Sequence, residues 1–375
     1  MRKFFFTLLL ALAGSAAAQQ AAPLDSVPAP GETTALPPCS PSENHAKGVT
    51  TGWFVGADFD FYFDNLEASG CAIDNSGTLF AVRLAPYVGW QFAHKHALVL
   101  GADLRSDFGD SVKFLSSVRP NIYYRYRGAR WQANAGAFPR HLLQGEYSDF
   151  LMQGTWIYDN YHVMGLSGSY VGESGLWEAG ISWDGLYSDS RRELFRIFSA
   201  GRYDFHPHWY FGYEFQLTHL AKSKRQLPDE GVVDYIALGP YFGATFNAFF
   251  DFDLRAHVML SYQRDRIVDN KKFPVGGQFD FSMSKWGFTL RDNIYVGANQ
   301  LPFYEKYGTL LYGAFEFYAA KKNFYNHTAL SYSHSFFHDI MSVGASFDLH
   351  FDGKGVAFEQ AASLKVNLEK LWKTK

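Results

Sequence analysis

Cysteine is almost absent from this chain, which has two, Cys39 and Cys71, in 375 residues. Neither has a second thiol or a histidine nearby at zinc-ligand spacing, so a thiolate metal site is not expected. In an oxidising compartment the two can pair with each other, and both a disulfide and two free thiols stay open. Long apolar runs are missing too. Beyond the first eighteen residues nothing approaches the roughly 20 apolar residues that a membrane-spanning helix requires. Charge of one sign is lacking: 34 basic residues face 37 acidic ones, for a net charge of −3, which leaves no electrostatic basis for binding nucleic acid. Against these shortages stands an excess, because 18% of the residues are aromatic, well above what a soluble domain needs.

The first eighteen residues combine Arg2 and Lys3, an apolar run from Phe4 to Ala13 and the small residues Ala16, Ala17 and Ala18. These are the three parts of a secretory signal peptide, with cleavage expected after Ala18. No cysteine follows the apolar run directly, so a lipid anchor is not expected. Residues 19–50 carry Pro23, Pro28, Pro30, Pro37, Pro38 and Pro41 and show no hydrophobic period. They read as a periplasmic linker or plug-like segment.

From Gly52 onward the sequence becomes a succession of runs of about ten to fifteen residues with alternating polarity. In the first, Trp53, Val55, Ala57, Phe59, Phe61 and Phe63 share one face while Asp58, Asp60 and Asp64 share the other. The period of two belongs to a strand, since a helix would mix the sets. The clearest run sets Phe250, Phe252, Leu254, Ala256, Val258, Leu260 and Tyr262 against Asp251, Asp253, Arg255, His257, Ser261 and Gln263. Similar faces recur from Phe80 to Phe92, from Trp209 to Leu217 and from Met341 to Phe351. Soluble sandwiches also alternate, but their strands usually run about five or six residues. Many strands of ten or more would present more apolar face than one interior holds, and lipid is the place to put it. The expected fold is all-β, a single transmembrane antiparallel up-and-down barrel of about 16 to 18 strands over residues 51–375. Trp53, Phe63, Trp90, Phe92, Trp209, Trp286 and Phe351 lie toward the ends of the apolar faces, as aromatic girdles require.

Tight connections at 127–130, 172–175, 320–323 and 352–355 read as periplasmic turns. Longer ones near 64–78, 106–116, 140–162, 185–193, 219–231, 264–273 and 298–308 read as extracellular. This division yields seventeen strands, whereas bacterial barrels of this type normally have an even number. The stretch from Asp149 to Ile157 is a candidate eighteenth. At the C-terminus, Ala362, Leu364, Val366, Leu368 and Trp372 alternate with polar residues. This resembles the terminal strand of Gram-negative outer-membrane barrels, although Lys373, Thr374 and Lys375 trail the final aromatic. The resemblance covers Gly52 to Trp372 and implies insertion by the barrel assembly machinery.

With the apolar face toward lipid, the charged face lines the lumen. The pore-lining candidates are Asp58, Asp60, Arg83, Asp103, Arg105, Arg125, Arg130, Arg196, Arg202, Glu214, Asp251, Asp253, Arg255, Asp280, Arg291 and Glu316. Both signs occur in similar number, which suits either a hydrated constriction with a transverse field or ion pairs inside a closed lumen. Tyr123, Tyr210, Tyr295 and Tyr312 are inward candidates that, with arginines, would suit a sugar or carboxylate, and equally suit plain filling. The pairs His94/His96 and His206/His208 have chelating spacing but fall at turns, and His334/His338 lie near a chain reversal. No metal or cofactor is expected. Ser331, Ser333, His334, His338 and Asp339 are the weak candidates for hydrolysis at an extracellular rim, without a motif that fixes a nucleophile beside a base.

Basic clusters in the long loops, Arg191/Arg192, Lys222/Lys224/Arg225, Arg264/Arg266 and Lys271/Lys272, suit phosphates of lipopolysaccharide or simple solvation. The expected function is a porin-like channel for small hydrophilic solutes in the outer membrane. The alternative is a plugged barrel acting as a scaffold, binding or assembly component, closed by residues 19–50 or by the 140–162 loop with Phe138, Phe150, Leu151 and Trp156. A transporter of hydrophobic substrates would need an apolar cavity, which the charged face opposes. No subunit interface can be read from an outer face that is apolar throughout.

Overall fold

The computed structural model describes residues 51–109, 113–227 and 230–373. The leader, the proline-rich stretch and Cys39 lie outside them. Seventeen strands form one sheet: β1 (Gly52–Ser69), β2 (Gly77–Phe92), β3 (His96–Asp107), β4 (Ser117–Arg127), β5 (Trp131–Pro139), β6 (His162–Gly172), β7 (Gly175–Gly185), β8 (Leu194–His206), β9 (Trp209–Leu220), β10 (Val233–Asn247), β11 (Asp251–Asp265), β12 (Asn270–Lys272), β13 (Val275–Lys285), β14 (Phe288–Gly297), β15 (Phe324–Phe336), β16 (Met341–Phe351) and β17 (Val356–Lys373). Short β12 and long β13 both pair with β11. They are two stretches of one ladder, broken where Phe273 and Pro274 intervene and Pro274 has no N–H to give. Sixteen strands therefore span the wall, and β17 pairs antiparallel with β1 from Gly52↔Lys373 to Ser69↔Val356. Closure leaves the sheet without an edge, as a barrel in lipid requires.

Register and alternation fix which side chains face in. Along β11, Asp253, His257, Met259, Ser261, Gln263 and Asp265 are buried, while Val258 is half exposed. The outward set carries the aromatics expected at the membrane boundaries. Near the short-turn end Trp53 meets Trp90 edge-on at 4.8 Å, and Trp209 stacks on Phe242 at 5.4 Å. At the other end Phe80 contacts Phe61, Phe63 and Phe108.

Short turns at 93–95, 128–130, 173–174, 207–208, 248–250, 286–287 and 337–340 close one end, together with both ends of the paired wall. In the turn 286–287, Trp286 and Gly287 both have positive φ, 55° and 82°, as a two-residue hairpin demands. The opposite end carries 70–76, 108–116, 140–161, 186–193, 221–232, 266–274, 298–323 and the tight 352–355. The expectation of seventeen spanning strands is corrected here. A long loop at 298–308 followed by a tight turn at 320–323 implies a strand between them, but this chain instead holds helix α2 (Tyr304–Leu311) and a single 3-10 turn (Glu316–Ala319). Phe315 and Phe317 have a strand's spacing, yet residues 311–320 are all buried, whereas a wall strand exposes every second side chain. That one false strand inverts everything after it. The 352–355 turn lies at the long-loop end, and His338 and Asp339 lie at the short-turn end. Asp149–Ile157 is not a strand either; it leads into helix α1 (Gly154–Asp159).

Six inward glycines each lie beneath an aromatic ring that also points inward from the neighbouring strand: Gly56 under Tyr87, Gly89 under Phe54, Gly180 under Phe198, Gly212 under Tyr241, Gly243 under Tyr210 and Gly276 under Tyr295. A Cβ at any of them would sit within 2.4 Å of the ring, so the pairs work as ring-over-glycine seats that flatten large side chains against the wall. Replacing Gly243 with Val is expected to lift Tyr210 off and lower stability by about 1–3 kcal/mol. Gly168→Ala, where a Cβ meets nothing nearer than 4.0 Å, is expected to change it by less than about 0.5 kcal/mol. Urea midpoints of the two variants in liposomes, followed by heat-modifiable gel mobility, check both.

Candidate functional site

A sixteen-stranded wall encloses more width than its own side chains can fill. Here two of the long segments fold into it. The 140–161 segment begins at Pro139, whose extended φ of −61° and ψ of 137° turn the chain inward, and buries Phe150, Leu151, Met152, Trp156, Tyr158 and Tyr161. The 298–323 segment buries Leu301, Leu311, Tyr312, Phe315, Phe317 and Tyr318. They meet each other: Gln153 N–H donates to Gly313 O (2.8 Å), Phe315 N–H donates to Asp149 O (3.0 Å), and Phe150 packs edge-on against Tyr318. The result is a largely apolar plug that shares a core with wall side chains such as Phe198, Tyr235, Tyr295 and Tyr325.

The wall's polar groups hold that plug from all around. Glu178 on β7 accepts from the N–H groups of Gln144 (2.6 Å) and Gly145 (3.1 Å) and from the Tyr147 hydroxyl (3.0 Å). Glu214 on β9 accepts from Ser148 N–H (2.7 Å) and Ser148 Oγ (2.5 Å). Arg83 on β2 donates to Tyr158 O (2.7 Å) with its guanidinium over the Tyr161 ring at 4.0 Å, and Arg105 on β3 pairs with Asp159 at 2.6 Å. Arg196 on β8 pairs with Asp184, donates to Leu310 O (2.7 Å) and faces the Trp156 ring at 5.1 Å. On β11, Gln263 accepts from Tyr312 (2.5 Å) and Asp265 accepts from Tyr307 (2.7 Å), while Gln278 on β13 accepts from Tyr318 (2.7 Å). Such charge-assisted bonds offset the cost of burying ions.

Fourteen of the sixteen pore-lining candidates occupy inward strand positions. Arg83, Asp103, Arg105, Arg196 and Glu214 lie at the level of the plug, and Asp103 and Arg83 are 3.4 Å apart. Asp58, Asp60, Arg125, Arg202, Asp251, Asp253, Arg255, Asp280 and Arg291 lie on the short-turn half. There Arg255 pairs with Asp253 (3.0 Å) and Glu146 (2.8 Å), and Asp280 pairs with His257 (2.8 Å). Arg202 pairs with Asp204 (2.9 Å) and lies over the Tyr210 ring at 3.7 Å. The other two candidates are elsewhere. Arg130 is an exposed turn residue that pairs with Glu173, and Glu316 belongs to the plug, as Tyr312 does. His206 and His208 face each other at the short-turn end, 5.8 Å apart, and His96 accepts from or donates to Tyr124 (2.6 Å). Ser331 and Ser333 are on the lumen parity of β15, but His334 is not, so no nucleophile–base pair forms there.

Two features escaped the sequence reading. One is on the outer face at the long-loop end. His219 on β9 shares a hydrogen bond with Asp234 on β10 (2.7 Å), Arg266 pairs with the other oxygen of that carboxylate (2.7 Å), and Phe195 stacks on the imidazole at 5.0 Å. Below this array an apolar groove runs between Ile236, Leu238, Leu260, Tyr262, Phe273 and Val275. Arg264 and Lys271 flank it, and the hydrogen bond from Arg264 and the charge of Lys271 hold the Asp269 carboxyl below the usual range. Alternation alone could have found it, because His219, Asp234 and Arg264 are polar at outward positions. The other is a latch at the rim: Asp352 accepts from Ala72, Lys354 and Gly355 N–H. Burial and that carboxylate push the thiol of neighbouring Cys71 up.

The described residues form a closed antiparallel β-barrel of the outer-membrane kind whose lumen is occupied by its own loops. Residues 51–375 match the family model described as lipid A 3'-O-deacylase-type, and the chain belongs to that family. Among solved structures it is similar to OccK11 (OpdR) of Pseudomonas aeruginosa, with 8% identity and a TM-score of 0.51 over 85% of this chain and 96% of that one. It is also similar to OccD1 (OprD), at 10% identity and a TM-score of 0.47 over 88% and 98% of the two chains. At such identities the likeness is one of fold. No curated relative matches the chain.

Removing the Glu178 carboxylate by Glu178→Ala strands three buried donors at about 1–3 kcal/mol each, a cost relieved when the segment comes away from the wall. Hydrogen exchange at residues 144–148 is expected to speed up while the barrel stays heat-modifiable. Unchanged exchange there would mean that other contacts hold the segment.

Proposed function

We propose that this barrel is a channel for small hydrophilic solutes that rests closed, with the 140–161 and 298–323 segments as its gate and the inner-wall charges as its selectivity element. The observation that carries this reading is how the plug is attached. Beside ring contacts such as Tyr147 on Phe198, Tyr312 on Tyr235 and Phe317 on Tyr325, the plug's backbone is held by Glu178, Glu214, Arg83 and Arg196, hydrogen bonds of a kind that water can replace when the segments leave. When they leave, Arg83, Asp103, Arg105, Arg196, Glu214 and Arg255, the last of which pairs with Glu146 of the first segment, join Asp58, Asp60, Arg125, Arg202, Asp251, Asp253, Asp280 and Arg291 as the pore lining. Arginines on β4 and β8 then face carboxylates on β1 and β11 across the opening, which gives a transverse field and a preference among ions. Export through the Met1–Ala18 leader, a periplasmic tether at 19–50 and insertion by the barrel assembly machinery go with this reading, as does contact of the basic loop clusters with lipopolysaccharide phosphates.

A second reading is favoured by the outward array. An imidazole whose Nδ1 is fixed by a carboxylate keeps Nε2 for taking a proton, and Arg266 adds positive charge beside it. Set over an apolar groove at the outer-leaflet level, His219 is positioned to act on an acyl ester of an anionic glycolipid, in keeping with the family's description.

Two measurements separate these readings. A variant in which residues 144–153 are replaced by a short Gly-Ser linker is expected to conduct steadily in a planar bilayer, and Arg202→Gln with Arg255→Gln in that background is expected to shift its ion preference toward cations. A folded variant that stays silent would remove the channel reading. Mass spectrometry of lipid A from cells producing the full chain tests the second: loss of an acyl chain that His219→Ala abolishes would establish it, and unchanged lipid A would exclude it.

A further inference from the structure

Both inward segments lean on the same pair of wall side chains. His327 on β15 and His350 on β16 are buried with their rings stacked, centroids 4.3 Å apart and planes within 18°. Phe315 packs against both rings, at 5.8 and 5.2 Å, and Phe317 stacks on His350 at 4.5 Å. The 298–323 segment is thus seated on the imidazoles. The 140–161 segment reaches the same place through Asp149, whose carboxylate lies 3.8 Å from His327 Nδ1 and whose carbonyl takes the Phe315 N–H.

Every ring nitrogen faces a polar group. His327 Nε2 is 2.9 Å from Asp348, His350 Nε2 is 3.0 Å from Glu359 on β17, and His350 Nδ1 is 2.8 Å from the Tyr325 hydroxyl. Ser346 donates to the other oxygen of Asp348. Farther out, Arg291 on β14 adds a positive charge, and Asp64 on β1 and Glu316 on the plug add negative ones. Tyr62, Asp348, Glu359 and Phe315 line a small enclosed space beside the pair.

We propose that His327 and His350 form a proton-operated latch, which keeps the lumen closed while at most one ring is charged and releases it when both are. A single proton is well placed between Asp348 and Asp149. A second one sets two cations face to face within the stack, with Arg291 as a third positive group nearby, and like charges at this range repel strongly in a buried site. The rings relieve this by parting, which removes the seat of Phe315 and Phe317. An unperturbed imidazole titrates near pH 6.5. Acid therefore opens the lumen and neutral pH closes it. The inference rests on the gate reading above and deepens it by naming its control.

The test reads the plug directly. Ala314, buried between Gly313 and Phe315, is changed to Cys in the full refolded chain. Its reaction with dithiodipyridine is normalised to an exposed reference thiol, Ala129→Cys, so that the reagent's own pH dependence cancels. The parent chain supplies the background from the native cysteines. The normalised rate is expected to rise at least about tenfold between pH 7.5 and pH 4.5, as local opening demands. In the His327→Gln and His350→Gln backgrounds, which keep a hydrogen-bonding side chain but leave one titrating ring, the rise is expected to vanish. Heat-modifiable mobility confirms folding, and either variant suffices. No rise in the parent, or the same rise in a folded Gln variant, overturns the latch. Conductance recorded over the same pH range keeps the two ideas apart, because a thiol that opens with acid in a silent bilayer leaves the latch standing and removes the channel.

Discussion

Width is the constraint from which the rest of this structure follows. Eight strands make an interior that side chains can fill, and sixteen do not, so the lumen must hold either water or more chain. In this protein two connecting segments fill it. Their backbone then leaves water, and every N–H and C=O they carry needs a partner. Some are met within the segments, as where Gln153 donates to Gly313 O. Others are met by the wall, which explains why Glu178, Glu214, Arg83 and Arg196 are ionisable residues buried to 2% exposure or less. Their role in the closed form is to terminate backbone and tyrosine hydroxyls that a purely apolar wall would leave unpaired.

The fold was legible because a strand exposed to lipid on one side writes its period into the sequence with little interference. Asp251 to Gln263 could be assigned face by face, and the register confirms the parity at each position. Strand number was legible only to within one or two, for a physical reason. Leu310 with Tyr312, and Phe315 with Phe317, each have a strand's two-residue spacing, and such spacing does not say whether the far side is lipid or plug. Residues 311–320 are buried on every side, so they carry strand-like spacing without a lipid-exposed face. Gly308, with φ of 49°, kinks the chain just before the run, and Gly313 inside it is the sequence mark that a closer reading would have weighed.

The site was less legible than the fold. Charges such as Arg105 and Arg202 were recognisable as inward from their own strands, but which of them meet the plug depends on contacts across the lumen. Arg105 reaches Asp159, 54 residues away, and Arg196 reaches Leu310, 114 residues away. Separation of that kind leaves no local pattern. Histidines suffered the opposite error. The pairs with chelating spacing lie at solvated turns, whereas His327 and His350, 23 positions apart in sequence, become directly paired neighbours through the β15–β16 register.

Period two also lets one strand carry two unrelated chemistries. Thr218 and Gln263 are sealed in the lumen, while the adjacent His219 and Arg264 face outward at the same height. Tyr235 packs on Tyr312 of the plug, and its neighbour Asp234 receives His219 and Arg266 on the membrane side. A change on one face leaves the other face's side chains in place, because the shared backbone is fixed by its ladder bonds and not by either set. The plugged lumen and the lipid-facing array are therefore not rival descriptions of one site. They are separate surfaces on the same few strands, so the proposed acyl-ester chemistry and the proposed channel make no competing demand on any one side chain.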